Sequence, residues 1–351
     1  MTVRLPVCVA ALALVVAGCG STTASSNSAV TVSGSTLTIY ASEPPGDSGG
    51  QVASDVLDAE RLAFSQSGAK VGQYHLRFAV AHGDEVSADA RKAVSDQTSI
   101  AYLGEIGPGT SGVSVQITNE LGLLQVSPTD TAIYLTHATP AVKGAPRHFY
   151  PSHSNFGETF ARVAPTTAAE AKAIVARIQG EGIKTLAIDD DGSQYGASIA
   201  QEVRSDASAA GLTVASTTAG AGAVFFGGLP GTVATHALDA AATAAPHARL
   251  FAPSALYDEG FVTSFQSHYH HTPAPQAIFG YEAMRAVIAA LRQAGTHAAV
   301  RQAVVADFRS LKRSAGQSAI GAYTMHDGDI SIAPFVFATV SGGRLVPRAA
   351  G

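Results

Sequence analysis

The feature that most constrains this chain is a double alternation. Short apolar runs of β type are separated by helical patterns, once before Pro165 and again after it. Segments 37–41, 75–80, 100–103 and 123–126 are brief and apolar, as strands covered by helices on both faces must be. Between them, segment 52–65 places Val52, Val56, Ala59, Leu62 and Ala63 on one helical face, and segments 87–96 and 113–120 repeat the arrangement over fewer turns. After Pro165, Thr166 is positioned to cap a helix with the stripe Ala171, Ile174, Val175 and Ile178, and Gly182 follows its end. Runs at 185–188, 212–215, 223–226 and 250–252 then read as strands. Helices are expected at 198–210, 232–244, 281–294 and 297–311, and a β-hairpin arm at 330–340. This alternation predicts an α/β chain of two Rossmann-like lobes, each with a doubly wound parallel sheet.

Residues 1–4 form a short positive start and 5–17 an apolar run too short to span a bilayer as a mature helix, which is the pattern of a signal peptide. That run ends in Val16-Ala17-Gly18-Cys19, which resembles the lipobox of bacterial lipoproteins. A lipid on Cys19 would tether the chain to the outer face of a membrane. Segment 20–35, dominated by Ser, Thr, Gly and Asn, cannot bury a core and reads as a flexible tether. Cys8 and Cys19 are the only cysteines; with the first discarded and the second lipidated, neither a disulfide nor a cysteine metal site is expected.

About three hundred residues remain, enough for two ordinary domains. At 46% hydrophobic and 14% charged, the chain has the apolar content to build them, and a formal net charge of -5 without a basic cluster argues against nucleic acid as a partner.

Four stretches, in order, resemble the type I periplasmic binding proteins, in particular the branched-chain amino-acid-binding branch that serves ABC transporters. The first runs from Tyr102-Leu103-Gly104 through Gly107-Pro108-Gly109-Thr110-Ser111 to Leu123-Leu124-Gln125-Val126-Ser127-Pro128. It is similar to the family's strand, Ser/Gly-rich turn, helix and "G-I-P-x-I-S-P" segment. The second is Phe160-Ala161-Arg162-Val163-Ala164-Pro165, similar to an "F-R-x-x-P" crossover. Strand 184–188 followed by Asp189-Asp190-Asp191-Gly192-Ser193-Gln194-Tyr195-Gly196 is similar to a strand ending in "D-x-x-Y-G". The last joins Phe265, Tyr269 and Pro273 to Ala277 and Gly280-Tyr281-Glu282-Ala283, similar to "A-x-x-G-Y-D-A" and the residues before it. The resemblance implies lobe 1 from 36–158 plus 276–316 and lobe 2 from 159–275 plus 317–347, joined by a hinge.

It also implies a small-molecule ligand in the interlobe cleft and an ABC permease as partner. Thr110 and Ser111 open a helix after a strand, where hydroxyls and unpaired N–H groups can receive a ligand carboxylate, or where they simply cap the helix. Thr129, Asp130 and Thr131 follow the next strand and stand either at a ligand-contacting turn or at an ordinary turn set by Pro128. Tyr195 falls on the family's ligand-covering tyrosine, and Phe226 stands where relatives often have Tyr, which makes that wall more apolar. Ser254 matches a position that commonly pairs an acid with the ligand ammonium. Unless Asp258, Glu259 or Asp130 substitutes for it, the ligand lacks an ammonium, because an unpaired buried cation is costly. The link between 214 and 223 is shorter than usual, which implies a trimmed second lobe, and the loop 42–50 is short as well.

His268, His270 and His271 form an exposed loop more readily than a metal site, and Asp189-Asp190-Asp191-Gly192 lacks the bidentate Glu of a calcium loop. No G-x-S-x-G elbow or Walker loop occurs, so neither enzymatic activity nor a cofactor is expected. Two functions stay open: a lipoprotein receptor of an uptake system, or a lipid-anchored sensor or scaffold that no longer transports.

Overall fold

In β1 (Thr36–Ser42) the two-residue period of a strand sends Leu37, Ile39 and Ala41 to one face of a sheet and Tyr40 to the other, and all four are buried. Both faces of β1 are therefore covered, and the rest of the first lobe is built around it. The computed structural model describes residues 29–43, 50–83, 85–139, 142–192, 194–228, 232–252, 258–333, 337–341 and 344–348. The signal segment with Cys8 and Cys19, residues 20–28 and Ser254 lie outside these residues. The end of the expected flexible tether is instead part of the fold: Val32 is buried in the first lobe's core, its N–H donates to the Ala299 carbonyl at 2.8 Å, and the Val30 carbonyl accepts from the Arg301 N–H at 2.9 Å, because a Val-Thr-Val run can bury and pair where Ser and Gly cannot.

In chain order, β1 is followed by α1 (Gly50–Ser65), β2 (Lys70–Val71), β3 (Tyr74–Ala81), α2 (Val86–Ser95), β4 (Ser99–Leu103), α3 (Gly112–Glu120), β5 (Leu124–Ser127), α4 (His153–Phe156) and β6 (Phe160–Arg162). The second series is α5 (Thr167–Gly180), β7 (Thr185–Asp190), α6 (Gln194–Ala209), β8 (Thr213–Ala215), β9 (Ala223–Gly227), α7 (Thr232–Ala244) and β10 (Arg249–Phe251). Then come α8 (Glu259–Tyr269), α9 (Ala277–Ala294), α10 (Arg301–Arg309), β11 (Lys312–Arg313), β12 (Tyr323–His326), β13 (Asp329–Ile330), β14 (Phe337–Ser341) and β15 (Arg344–Arg348).

Two main sheets result. The first has the order β2-β3-β1-β4-β5-β6, parallel except for β2, and the second is the wholly parallel β10-β9-β7-β8. Both are doubly wound. The order reverses between β1 and β4 in one and between β7 and β9 in the other, and at such switch points the strand ends open a crevice.

The lobes are divided differently from the sequence expectation. Strand β6, expected in lobe 2, hydrogen-bonds to β5 in the first sheet. Phe261 and Phe265 of α8 and Tyr323, Met325 and Ile330 of β12 and β13 are buried in the first lobe's core with α1 and α9. The second sheet thus comes from one continuous stretch, 167–252, with a smaller core around Ile174, Val203 and Phe225. At the far end, the expected single arm over 330–340 is two separate pairings, β12 with β13 and β14 with β15.

Caps follow sequence chemistry. The Thr166 hydroxyl accepts from the Ala169 N–H at 3.2 Å, and the Asp258 carboxylate accepts from the Phe261 N–H at 2.7 Å. His270 ends α8 in the left-handed conformation, and His271 bonds the buried Asp55 of α1 at 2.8 Å, so this histidine pair closes a helix and ties it to its neighbour. No helix among the described residues is long and apolar enough to cross a membrane.

Helices α1 and α9 approach closely because Gly280 has no side chain: a Cβ there would lie 2.3 Å from the Val56 carbonyl oxygen. Gly280→Ala should therefore cost about 1–3 kcal/mol in urea denaturation. Gly180→Ala, where a Cβ meets nothing within 4 Å, should be neutral or slightly stabilising; equal effects would show that the helix contact is not tight.

Candidate functional site

The crevice of the first sheet is bounded by the loop after β4, residues 104–111, and the loop after β5, residues 128–132. These loops carry five of the residues expected to meet a ligand, and the structure brings them together. Asp130 is fully buried, and its carboxylate accepts three backbone N–H groups, from Gly109 at 2.7 Å, Ser111 at 2.9 Å and Ala132 at 2.9 Å. The N-terminus of α3 therefore has an internal anion on it, where hydrogen bonds and the helix dipole both favour negative charge.

The other polar groups are mostly engaged as well. Ser111 Oγ accepts from the Glu105 N–H at 3.0 Å, and Thr129 Oγ1 accepts from the Gly107 N–H at 2.8 Å. Thr110 is exposed and donates its hydroxyl to the Gly107 carbonyl at 2.6 Å. Thr131 differs. Its hydroxyl is buried, with no hydrogen-bond partner among the described residues.

Two residues that the sequence reading passed over organise this site. Arg162, at the end of β6 and fully buried, donates to the carbonyls of Asp130 (2.9 Å) and Ala132 (2.8 Å), to Thr136 Oγ1 (2.8 Å) and to the Asp329 carboxylate (2.7 Å). It was visible only as the Arg of the crossover motif. Glu105 sits at the switch point itself, accepting from Ser42 Oγ of β1 and from the Tyr102 hydroxyl at 2.7 Å. Its signal was a lone acid between glycines directly after an apolar strand.

Burial pushes the Glu105 carboxyl up to about 7, against the hydrogen bonds from Ser42 and Tyr102, with the Asp89 charge adding to the rise. Asp89 is raised to about 6, also chiefly by burial, and Glu60 rises for the same reason.

In the second lobe Asp191 follows β7, and its N–H donates to the Gly227 carbonyl at 2.9 Å. Its carboxylate lies against two glycines: a Cβ on Gly196 would sit 2.2 Å from one oxygen and a Cβ on Gly228 2.7 Å from the other. Asp190 and Asp189 accept from the Gly192 and Asp190 N–H groups at 2.9 Å each, so this acidic run also shapes the strand end. Among the described residues no group of three or more His, Cys, Asp or Glu could hold a metal.

Tyr195 lies in the first turn of α6, though the position of its side chain is outside the described residues. Phe226 is buried against Ala234 and Leu238 of α7, because its position on β9 faces that helix. Asp258, a candidate partner for an ammonium, is committed to the α8 cap. A separate hollow of about 490 Å³, bordered by Lys312, Arg313 and Tyr323, shares no lining residue with either crevice.

Because Glu105 is protonated more readily folded than unfolded, stability falls as pH rises from its ordinary 4.5 through about 7. Denaturation of the parent should give higher stability at pH 5 than at pH 8, by on the order of 3 kcal/mol from this group alone. Glu105→Gln should flatten that slope, and an unchanged slope would remove Glu105 as its source.

No protein-family model matches the chain, and no curated protein matches it in sequence. Solved structures do match. An ABC transporter substrate-binding protein from Desulfitobacterium hafniense in complex with Leu superposes with a TM-score of 0.67 at 17% identity, covering 89% of this chain and 100% of that one. A leucine binding protein from Thermotoga maritima gives 0.61 at 14% identity, covering 90% and 97%. A solute binding protein of an ABC transporter from R. palustris, in complex with 4-hydroxybenzoate, gives 0.67 at 13% identity, covering 90% and 96%. With its two doubly wound sheets and near-complete coverage of these structures, the chain has the fold of the type I periplasmic binding proteins.

Proposed function

We propose that this chain is the extracytoplasmic solute-binding lipoprotein of an ABC uptake system, anchored through Cys19, which binds a small polar ligand between its lobes and delivers it to a membrane permease. The observation that carries this reading is the near-complete structural likeness to substrate-binding proteins whose known ligands are amino acids and aromatic acids. The physical design agrees with it. Each sheet has a switch point at the carboxyl ends of its strands, and closing two such crevices on one ligand would exclude water, with the closure energy supplied by contacts made only in the closed state. Thr110 and Thr131 from the first lobe, with Tyr195 and Ser254 from the second, are the contacts proposed, and the ligand class is an amino acid or a related carboxylate or amide.

The internal engagement of Ser111 and Thr129, whose hydroxyl oxygens accept from the Glu105 and Gly107 N–H groups, favours one other reading, a lipid-anchored sensor or scaffold that keeps the fold without transport. Native mass spectrometry of the protein lacking residues 1–19, followed by thermal-shift screening of amino acids, carboxylates, amides and sugars, separates the two. A receptor should carry or bind a small molecule that stabilises it by about 2.7 kcal/mol at a hundred times its Kd, and Tyr195→Ala should weaken that response. If no compound class moves the transition, and Tyr195→Ala behaves as the parent does, the sensor or scaffold reading replaces transport.

A further inference from the structure

We propose that Asp130 is a built-in substitute for a ligand carboxylate, so that the site accepts ligands presenting an amide, hydroxyl or amine to the first lobe and rejects carboxylates there. This rests on the solute-receptor reading and narrows its ligand class.

Three observations carry it. First, the N–H groups of Gly109 and Ser111, just before and at the α3 N-terminus, already point at the Asp130 carboxylate, together with that of Ala132. A carboxylate accepting these three N–H bonds takes them from a second anion, and it electrostatically repels an anion that approaches the first turn of α3. Second, Asp130 cannot readily swing aside. The carbonyls on either side of Thr131, those of Asp130 and Ala132, are held by Arg162, and the Asp130 N–H donates to Ser127 Oγ at 2.8 Å. Third, Thr131 beside it keeps a buried hydroxyl without a partner among the described residues. Such a group costs free energy unless something bonds it, and a hydroxyl can donate to an amide carbonyl or accept from an amine.

The second lobe matches this pattern. The Asp191 carboxylate fills the space beside Gly196 and Gly228 where α6 begins, and Asp189 and Asp190 add negative charge at the same strand end. Both helix entries that would attract an anion thus already carry one from the chain itself.

The test replaces the internal carboxylate by an external one. Asp130→Ala removes it and leaves three N–H groups facing a small vacancy. Sodium formate, titrated against sodium chloride at equal ionic strength, should raise the melting temperature of Asp130→Ala in a saturable way and leave the parent unmoved. In parallel, the parent is titrated calorimetrically with acid and amide pairs, leucine with leucinamide and benzoate with benzamide. The amide should bind the parent more tightly by about tenfold or more, because the acid meets a like charge, and Asp130→Asn should narrow the gap.

If Asp130→Ala folds only in formate, the proposal is supported by that requirement. Equal formate responses in parent and variant overturn it, as does a parent that binds the acids more tightly than the amides. Should the parent bind neither member of either pair, the receptor reading fails on its own screen and the formate comparison alone judges Asp130.

Discussion

The buried guanidinium of Arg162 is the contact on which the first lobe's site depends. It stands at the end of a three-residue strand too short to hold its own position, and it gathers the loop after β5 by two carbonyls and the β13 turn by Asp329. A guanidinium suits this work because its planar fork offers five donors in fixed directions, and the described structure uses four partners. The buried charge is tolerable because it is paired, whereas removing Asp329 would leave it uncompensated. His137 bonds the same Asp329 carboxylate at 2.7 Å, so the turn between β12 and β13 is held from two sides.

From this anchor the geometry propagates. With the Asp130 and Ala132 carbonyls fixed, the Asp130 side chain reaches the α3 entry, and the loop after β4 is shaped around it. That loop then presents Glu105 to the switch point, where Ser42 of β1 and Tyr102 of β4 both bond it. Ser127 completes the connection by donating its hydroxyl to the Glu105 carbonyl at 2.5 Å and accepting from the Asp130 N–H. The crevice of this sheet is thus lined by one polar network whose members fix each other, which confers rigidity at the cost of burying Glu105, whose charge is disfavoured there.

The strands and long helices were legible because their apolar residues are continuous or periodic, as in β1, β9, α5 and α7. The lobe boundary was not. A three-residue strand such as β6 carries no period, and which sheet it joins is decided by pairing with β5. Helix α8 shows the same limit, since Phe261 and Phe265 mark an apolar face without saying which core receives it. At the candidate site, the sequence pointed to these two loops, because Ser and Thr before a helix and Thr-Asp-Thr after a Ser-Pro turn are local signals. It did not disclose that Asp130 folds back across 19 residues to Ser111, an arrangement that depends on Arg162 from a third segment. Only the short-range part, Asp130 accepting from Ala132 two residues on, has a local signature.

The same physics bears on how much of the fold's ligand chemistry can be transferred to this chain. A shared fold places crevices at corresponding strand ends, but what a crevice binds depends on which donors remain unspent. Here the N–H groups of Gly109 and Ser111 are given to Asp130, Ser111 Oγ accepts from the Glu105 N–H, and the Asp258 carboxylate caps α8. Thr110 is engaged as well, donating to the Gly107 carbonyl, and among the described residues of these two loops the unpartnered hydroxyl is that of Thr131, which carries no charge. On the proposed receptor reading, a neutral ligand is recognised by shape and hydrogen bonding, and its affinity comes mainly from burial on closure, since a neutral hydrogen bond exchanged with water has a small net value.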